Sequence, residues 1–128
     1  MQGTFENLLL HPKGTIIYPN GDYYEGELSL GRREGRAELI DFATLARYVG
    51  EFRNQLKHGQ GIEQYSDGSK YEGSFFEDCR TGTGRLEKPG QFVYFGEFLN
   101  GGLEGNGELI TKANEKFEGR FKAGKLQG

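Results

Sequence analysis

Aromatic and polar residues alternate over short segments that recur along the chain. In the segment Tyr71-Glu72-Gly73-Ser74-Phe75, the first, third and fifth residues are aromatic, glycine and aromatic, and the two residues between them are polar. Successive side chains of a β-strand point to opposite faces, so this alternation predicts a strand with one buried and one solvated face.

The segment is one copy of a unit that fills the sequence. Copies start at residues 1, 24, 48, 71, 94 and 117, a spacing of 23 residues with one step of 24. A fixed period of this length indicates a repeat array. We number the opening residue of each copy position 0, and we predict one array over residues 1–128 with a partial unit from residue 117.

The glycines keep the same period. All but Gly90 and Gly102 of the 22 glycines fall at position 2, 7, 11, 13 or 20 of the unit. Glycine at fixed positions indicates a backbone requirement. We expect a first strand over positions 0 to 5, a loop, and a second strand from about position 12. A regular ladder between them would place Phe98 opposite Gly107 and Gly96 opposite Leu109.

Turn signals and irregular units complete the predicted architecture. Pro19-Asn20-Gly21 and Ser66-Asp67-Gly68 predict tight turns between units. The extra residue of the second unit predicts a bulge or a longer turn within residues 41–47. Glu63 stands where other units have Ile or Leu, which indicates either a register slip or an exposed carboxylate.

Composition narrows the class of protein. The hydrophobic fraction is 34% and the formal net charge is −3. No global basic field would attract nucleic acid, so we expect no nucleic-acid partner. Cys79 is the only cysteine, which excludes an internal disulfide, and Leu8-Leu9-Leu10 is too short for a signal or a membrane span. We expect a soluble intracellular protein.

The repeated residues resemble the MORN repeat (membrane occupation and recognition nexus). The family pattern is a 23-residue hairpin reading Tyr-x-Gly-x-aromatic-x-x-Gly-x-x-x-Gly-x-Gly, often followed by Tyr-Pro-Asp/Asn-Gly. Residues 48–68 and 94–107 match it closely, Tyr18-Pro19-Asn20-Gly21 matches the linking turn, and the match weakens at Met1 and Ala37. The resemblance implies an all-β, elongated, single-layer antiparallel meander of stacked hairpins.

Candidate catalytic and metal-binding groups are sparse, and we expect no enzyme activity, cofactor, metal or small-molecule substrate. Gly82-x-Gly84 lacks the following helix of a dinucleotide-binding loop. His11, His58 and Cys79 lie far apart in sequence, whereas a metal site needs several converging ligands. A row of acidic residues at position 3 indicates a solvated face, with an acidic docking stripe as the alternative: Glu27, Glu51 and Glu97.

Three groups of residues are candidates for binding. Apolar side chains on the charged face predict a protein contact: Val49, Phe76, Phe95 and Leu99. Basic residues at positions 8 and 9 predict a loop edge for anionic lipid: Arg32, Arg33, Lys57, Arg80 and Lys125. The last strand, residues 117–122, has no evident second strand and predicts an open edge for a protein partner or self-association, through Phe117, Gly119 and Phe121.

These features predict a non-enzymatic scaffold that presents a long face to protein partners. The resemblance adds a ciliary, cytoskeletal or other large assembly as the context, because similar arrays occur in radial-spoke proteins and parasite basal-complex scaffolds. Two alternatives remain open. One is a tether to a phosphoinositide or other anionic membrane surface, and the other is an accessory module of a larger enzyme, as in plant phosphatidylinositol-phosphate kinases.

Overall fold

The computed structural model describes residues 12–127, which form one open sheet of eleven strands. The strands are β1 (Lys13–Ile17), β2 (Tyr23–Ser29), β3 (Arg32–Ile40), β4 (Arg47–Arg53), β5 (Leu56–Gln64), β6 (Lys70–Phe76), β7 (Cys79–Lys88), β8 (Phe92–Leu99), β9 (Gly102–Thr111), β10 (Lys116–Lys122) and β11 (Lys125–Leu126). Each strand pairs antiparallel with the next in chain order. The predicted all-β meander is confirmed, while the opening copy at Met1 and His11 lie outside the described residues.

Two kinds of turn join the strands. Within each unit, two residues with positive φ connect the strands, as at Asn54 (51°) and Gln55 (70°). Positive φ at both residues is the backbone of a tight hairpin turn whose twist matches that of the strands. Between units, the predicted turns are confirmed, because Gly21 and Gly68 donate their N–H groups to the carbonyls of Tyr18 (2.8 Å) and Tyr65 (3.0 Å).

The register within a unit differs from the predicted ladder. Gly96 lies opposite Gly107, and Tyr94 lies opposite Leu109. The same pairing forms one row across ten successive strands, with Ala37 in β3 and glycine in the other nine: Gly14, Gly26, Gly50, Gly61, Gly73, Gly84, Gly96, Gly107 and Gly119. The predicted opposition of aromatic residue and glycine within the hairpin is therefore wrong, because the ladder is not regular.

A bulge in every complete unit causes the difference. In the third unit, Gly50 pairs with Gly61 and Phe52 pairs with Lys57, so a single residue, Glu51, faces the three residues 58–60. The middle residue of those three is Gly59, with φ of 76°. The second strand consequently begins at position 8, before the bulge, and not at position 12 as predicted. The left-handed φ explains the recurrent glycine at position 11.

The core is a chain of eight aromatic rings along one face of the sheet. The tyrosine at position 0 and the phenylalanine at position 4 of the next unit alternate in edge-to-face contacts with centroids 4.9–5.3 Å apart. The order of the rings is Tyr24, Phe52, Tyr48, Phe75, Tyr71, Phe98, Tyr94 and Phe121, and every ring is buried. We call this side of the sheet the ring face and the opposite side the polar face.

Two irregular segments alter the regular array. The extra residue of the second unit forms a longer turn over residues 41–46, closed by the Asp41 N–H on the Ala46 carbonyl (2.9 Å), which confirms one of the two predicted forms. At the other end, β11 pairs with Phe121 and Lys122 of β10. The prediction that the sheet ends on an unpaired strand is therefore wrong for these two residues at the end of β10.

Candidate functional site

The tyrosine at position 0 holds the bulge as well as the core. The Tyr48 hydroxyl donates to the Glu51 carbonyl (2.7 Å), and the Tyr71 hydroxyl donates to the Ser74 carbonyl (2.8 Å). Tyr24 and Tyr94 make the same contact in their units. Burial raises the pKa of Tyr71 to about 12, since the charged phenolate would lose its hydration on the ring face. These phenols are structural donors.

The acidic row at position 3 closes the same bulges. The carboxylate of Glu27 accepts the Arg36 N–H at 2.8 Å, and the carboxylate of Glu97 accepts the Asn106 N–H at 2.7 Å. Both acceptors satisfy a backbone group that the bulge removes from the ladder. The row therefore has a structural role in addition to lying on the polar face, which neither predicted interpretation included.

The basic residues at positions 8 and 9 do not form a loop edge. All five are in strands, and neighbouring strand positions face opposite ways, so Arg32 and Lys125 lie on the polar face. The three residues at position 9 stack on rings of the ring face: Arg33, Lys57 and Arg80, at 5.3–5.9 Å from ring centroids. The predicted continuous basic edge is wrong, because it divides between two faces.

Glu63 is in register and almost completely buried. It pairs with Tyr48 on one side and Tyr71 on the other, as the equivalent leucines do. Its carboxylate forms an ion pair with Lys57 and accepts the Tyr65 hydroxyl. Both predicted alternatives, a slip and an exposed carboxylate, are wrong. A buried charge is tolerated here because it is paired and hydrogen-bonded.

An open cleft of about 330 Å³ lies beside this network on the ring face. The turn over residues 41–46 contributes Thr44 and Ala46. The turn between β5 and β6 contributes Tyr65, Ser66, Asp67 and Ser69. Strand β7 supplies Arg80, Leu86 and Lys88. Sequence reasoning missed the cleft, although its signals were present: a one-residue insertion, an acid at an apolar position and a basic residue at position 9.

The apolar candidates of the polar face are exposed but do not form one patch. Val49 is 42% exposed, Phe76 and Phe95 are 53% exposed, and Leu99 is 52% exposed. Phe76 and Leu99 share position 5 of neighbouring units, so about 10 Å separates their strands. Val49 and Phe95 are four strands apart, on β4 and β8. The arrangement brings together only the Phe76 and Leu99 pair, close to the hairpin turns.

The residues of the C-terminal strand divide between core and surface. Phe121 is 3% exposed and ends the chain of rings against Tyr94, so its side chain belongs to the core. Phe117 is 40% exposed. Gly119 pairs with Gly107 at the end of the glycine row. Within β10, only the part before β11 lacks a partner on its outer side among residues 12–127.

Other reactive groups are isolated from one another. The His58 ring packs against the ring of Phe76, with centroids 5.5 Å apart, and Cys79 is a free thiol. Among residues 12–127, no three His, Cys, Asp or Glu side chains converge as a metal site. Over the same residues, no helix has the length and hydropathy needed to cross a membrane.

The relatives that this chain matches are much longer than the chain itself. It is 26% identical over 149 aligned positions to Alsin of Rattus norvegicus and of Mus musculus, and 25% identical to Alsin of Homo sapiens. Each alignment covers 91% of this chain and 9% of the relative. The chain thus spans about one-eleventh of those proteins.

The family model named MORN repeat matches residues 2–23, 24–40, 48–70 and 94–111, together more than half of the chain. The unmatched segment between the last two matches contains the hairpin of β6 and β7, which has the same bulge and the same tyrosine contact as its neighbours. The chain therefore belongs to the MORN repeat family.

Proposed function

We propose that this array is a non-catalytic protein-interaction module that binds a partner through the polar face near the hairpin turns. The observation that carries the proposal is the exposure of Phe76 and Leu99, each more than half accessible at the same position of neighbouring units. Exposed large apolar side chains on an otherwise charged surface favour a protein contact. Family membership supports an interaction module in general terms.

The geometry of the pair suits a partner that bridges two hairpins. Phe76 precedes the turn of one hairpin and Leu99 precedes the turn of the next. His58 packs on the Phe76 ring and extends the apolar contact toward β5. The buried aromatic rings that form the core lie on the opposite face. Substitutions of Phe76 and Leu99 therefore leave the core intact. A ciliary or cytoskeletal assembly is our proposed context.

The test compares two matched double variants. Phe76→Ser with Leu99→Ser removes the pair, whereas Ile17→Ser with Val49→Ser removes exposed apolar groups elsewhere on the sheet. Proteins recovered by cross-linking are identified by mass spectrometry, and binding is then measured with each purified candidate. We expect the first variant to lose binding and the second to retain it, with unchanged thermal midpoints. Equal binding by both variants, or unfolding of the first, would contradict the proposal.

A second candidate function is that of one module within a much longer protein. The observation that favours it is the alignment to 9% of the Alsin chains. Sequencing of transcripts tests this function, and we expect the reading frame that encodes this chain to continue well beyond residue 128. A transcript that stops at this point would count against the module. The membrane tether has less support, because the five basic residues divide between the two faces of the sheet, and flotation with anionic vesicles tests it.

A further inference from the structure

Two arginines of the ring face occupy equivalent places but differ in their partners. Arg33 and Arg80 both stand at position 9, and each guanidinium stacks on the position 4 phenylalanine of the next unit, 5.5 Å and 5.9 Å from the ring centroid. Arg33 also donates twice to the Gln55 carbonyl, at 3.1 and 2.7 Å. Among residues 12–127, the Arg80 side chain makes neither a hydrogen bond nor an ion pair. Its five donors are therefore available to a ligand.

The available guanidinium lines the cleft between the two unit-linking turns. Lys88 lies in the same wall, and the hydroxyl residues Thr44 and Ser66 line the cleft as well. Asp67 is the one carboxylate of the lining, and it already accepts the Ser69 N–H at 2.8 Å. Two cations against one anion leave the cleft with a net positive charge. The neighbouring Glu63 does not change this balance, because Lys57 neutralises it.

We propose that this cleft binds an oxyanion, a phosphate or carboxylate, carried on a peptide segment of a partner, with the Arg80 guanidinium as its principal contact. A planar guanidinium matches the two oxygens of such a group with two parallel hydrogen bonds. Lys88 adds a second positive charge to the rim, and Thr44 and Ser66 supply hydroxyl donors. The site lies on the opposite face from Phe76 and Leu99, so it is additional to the proposed protein contact.

The shape of the cleft favours a side chain on a peptide over a free ion. A volume of about 330 Å³ far exceeds that of a phosphate ion and is at the small end for ligand pockets. Leu86 and Ala46 line the cleft beside the charged groups. Their apolar surface suits the aliphatic stem of an acidic or phosphorylated residue. Because the cleft is open, an extended chain can lie across it while one side chain enters.

The test uses three short peptides of one sequence, carrying phosphoserine, glutamate or serine at the centre, together with sodium phosphate. Binding is followed by amide chemical shifts of Ser66 and Ser69 in the whole chain. Arg80→Gln keeps most of the stem but removes the charge, and Arg33→Gln is the matched control at the equivalent position. We expect the phosphoserine and glutamate peptides to bind, and Arg80→Gln to weaken them at least about tenfold. That is the loss of one charge-assisted contact.

The control variant and the control ligands show whether binding depends on Arg80 and on a peptide-borne oxyanion. We expect Arg33→Gln to change the affinity less than about twofold, since Arg33 does not line the cleft and already donates twice to the Gln55 carbonyl. Equal losses in the two variants, equal binding of the serine peptide, or binding of free phosphate without the peptides would overturn the proposal. Retention of anionic phosphatidylserine vesicles through Arg80 without peptide binding would also overturn it, in favour of a lipid surface. If Arg80→Gln lowers the thermal midpoint, Lys88→Gln provides the test, and unchanged affinity in that variant would refute the site.

Discussion

Substitution of Gly73 by alanine tests the close packing of the glycine row. Gly73 lies between Gly61 on one strand and Gly84 on the other. A Cβ atom added to it would lie 2.5 Å from the Gly84 Cα and 2.6 Å from the Thr83 carbonyl oxygen. Both atoms belong to the backbone, so no side chain can rotate away to relieve the contact.

The magnitude follows from the distance that the strands would have to move. Ordinary carbon contacts are about 3.5–4.0 Å, so β6 and β7 would have to separate locally by about 1 Å. Such a separation weakens the ladder and displaces the Tyr71 ring, whose hydroxyl lies 2.9 Å from the added atom. Overpacking of this kind costs about 1–3 kcal/mol. For a chain of this size, we expect a thermal midpoint lower by roughly 4–11 °C.

Gly102→Ala is the matched control for this substitution. Gly102 is also in a strand, and its added Cβ would meet only the Leu99 carbonyl oxygen at 3.8 Å. Because the space is open and the φ of Gly102 is not positive, its midpoint should stay within a few degrees of the parent. Thermal unfolding followed by circular dichroism compares the two. A Gly73→Ala midpoint equal to that of the control would refute the packing of the row.

Three further predictions concern the buried polar groups. Tyr71→Phe leaves the Ser74 carbonyl without its donor and should lower the free energy of unfolding by about 0.5–1.5 kcal/mol in urea; no change would contradict the bulge contact. The pKa of Tyr71, raised to about 12, implies stability that is full below pH 10 and is lost as the pH rises toward 12, visible as delayed tyrosinate absorbance at 295 nm. Glu63→Leu should cost about 1–3 kcal/mol because Lys57 loses its partner, and the double change to Leu at both positions should recover most of that loss; additive losses would exclude the coupling.

The period and the faces of the first strand could be predicted from sequence because they depend on local alternation. Tyr71 and Phe75 are buried as the alternation requires, and Phe76 is exposed. A spacing of 23 residues is compatible with a hairpin and a linking turn whatever the register within it. The alternation in the sequence therefore predicted the two faces of the sheet, and the family resemblance predicted the fold.

The register within the hairpin could not be predicted, because a regular ladder was assumed. The bulge sets three residues against one, and this moves Gly107 from Phe98 to Gly96 as its opposite residue. The glycine at position 11 was the available signal, since two glycines separated by one residue indicate a backbone irregularity as well as a close approach. Gly82, with φ of 102°, shows that the first of the pair serves the bulge.

The prediction of where the basic residues lie was wrong for the same reason. With the second strand expected from position 12, positions 8 and 9 were assigned to a loop, where side-chain direction is undefined. Once the strand begins at position 8, Arg32 and Arg33 must point to opposite faces. A correct strand boundary would have placed Arg33, Lys57 and Arg80 over the rings.

The places where the units depart from their own pattern meet at one site. Thr44 and Ala46 belong to the turn that contains the inserted residue, and both line the cleft. Lys88 lies in the same wall at position 17, where two other units have tyrosine, and Glu63, which replaces an apolar residue, accepts the hydroxyl of Tyr65 in the lining. Local rules that are broken without a gain in stability are expected at functional sites. Since each departure alone would be an ordinary variation, their convergence around Arg80 is the strongest reason to place a ligand there.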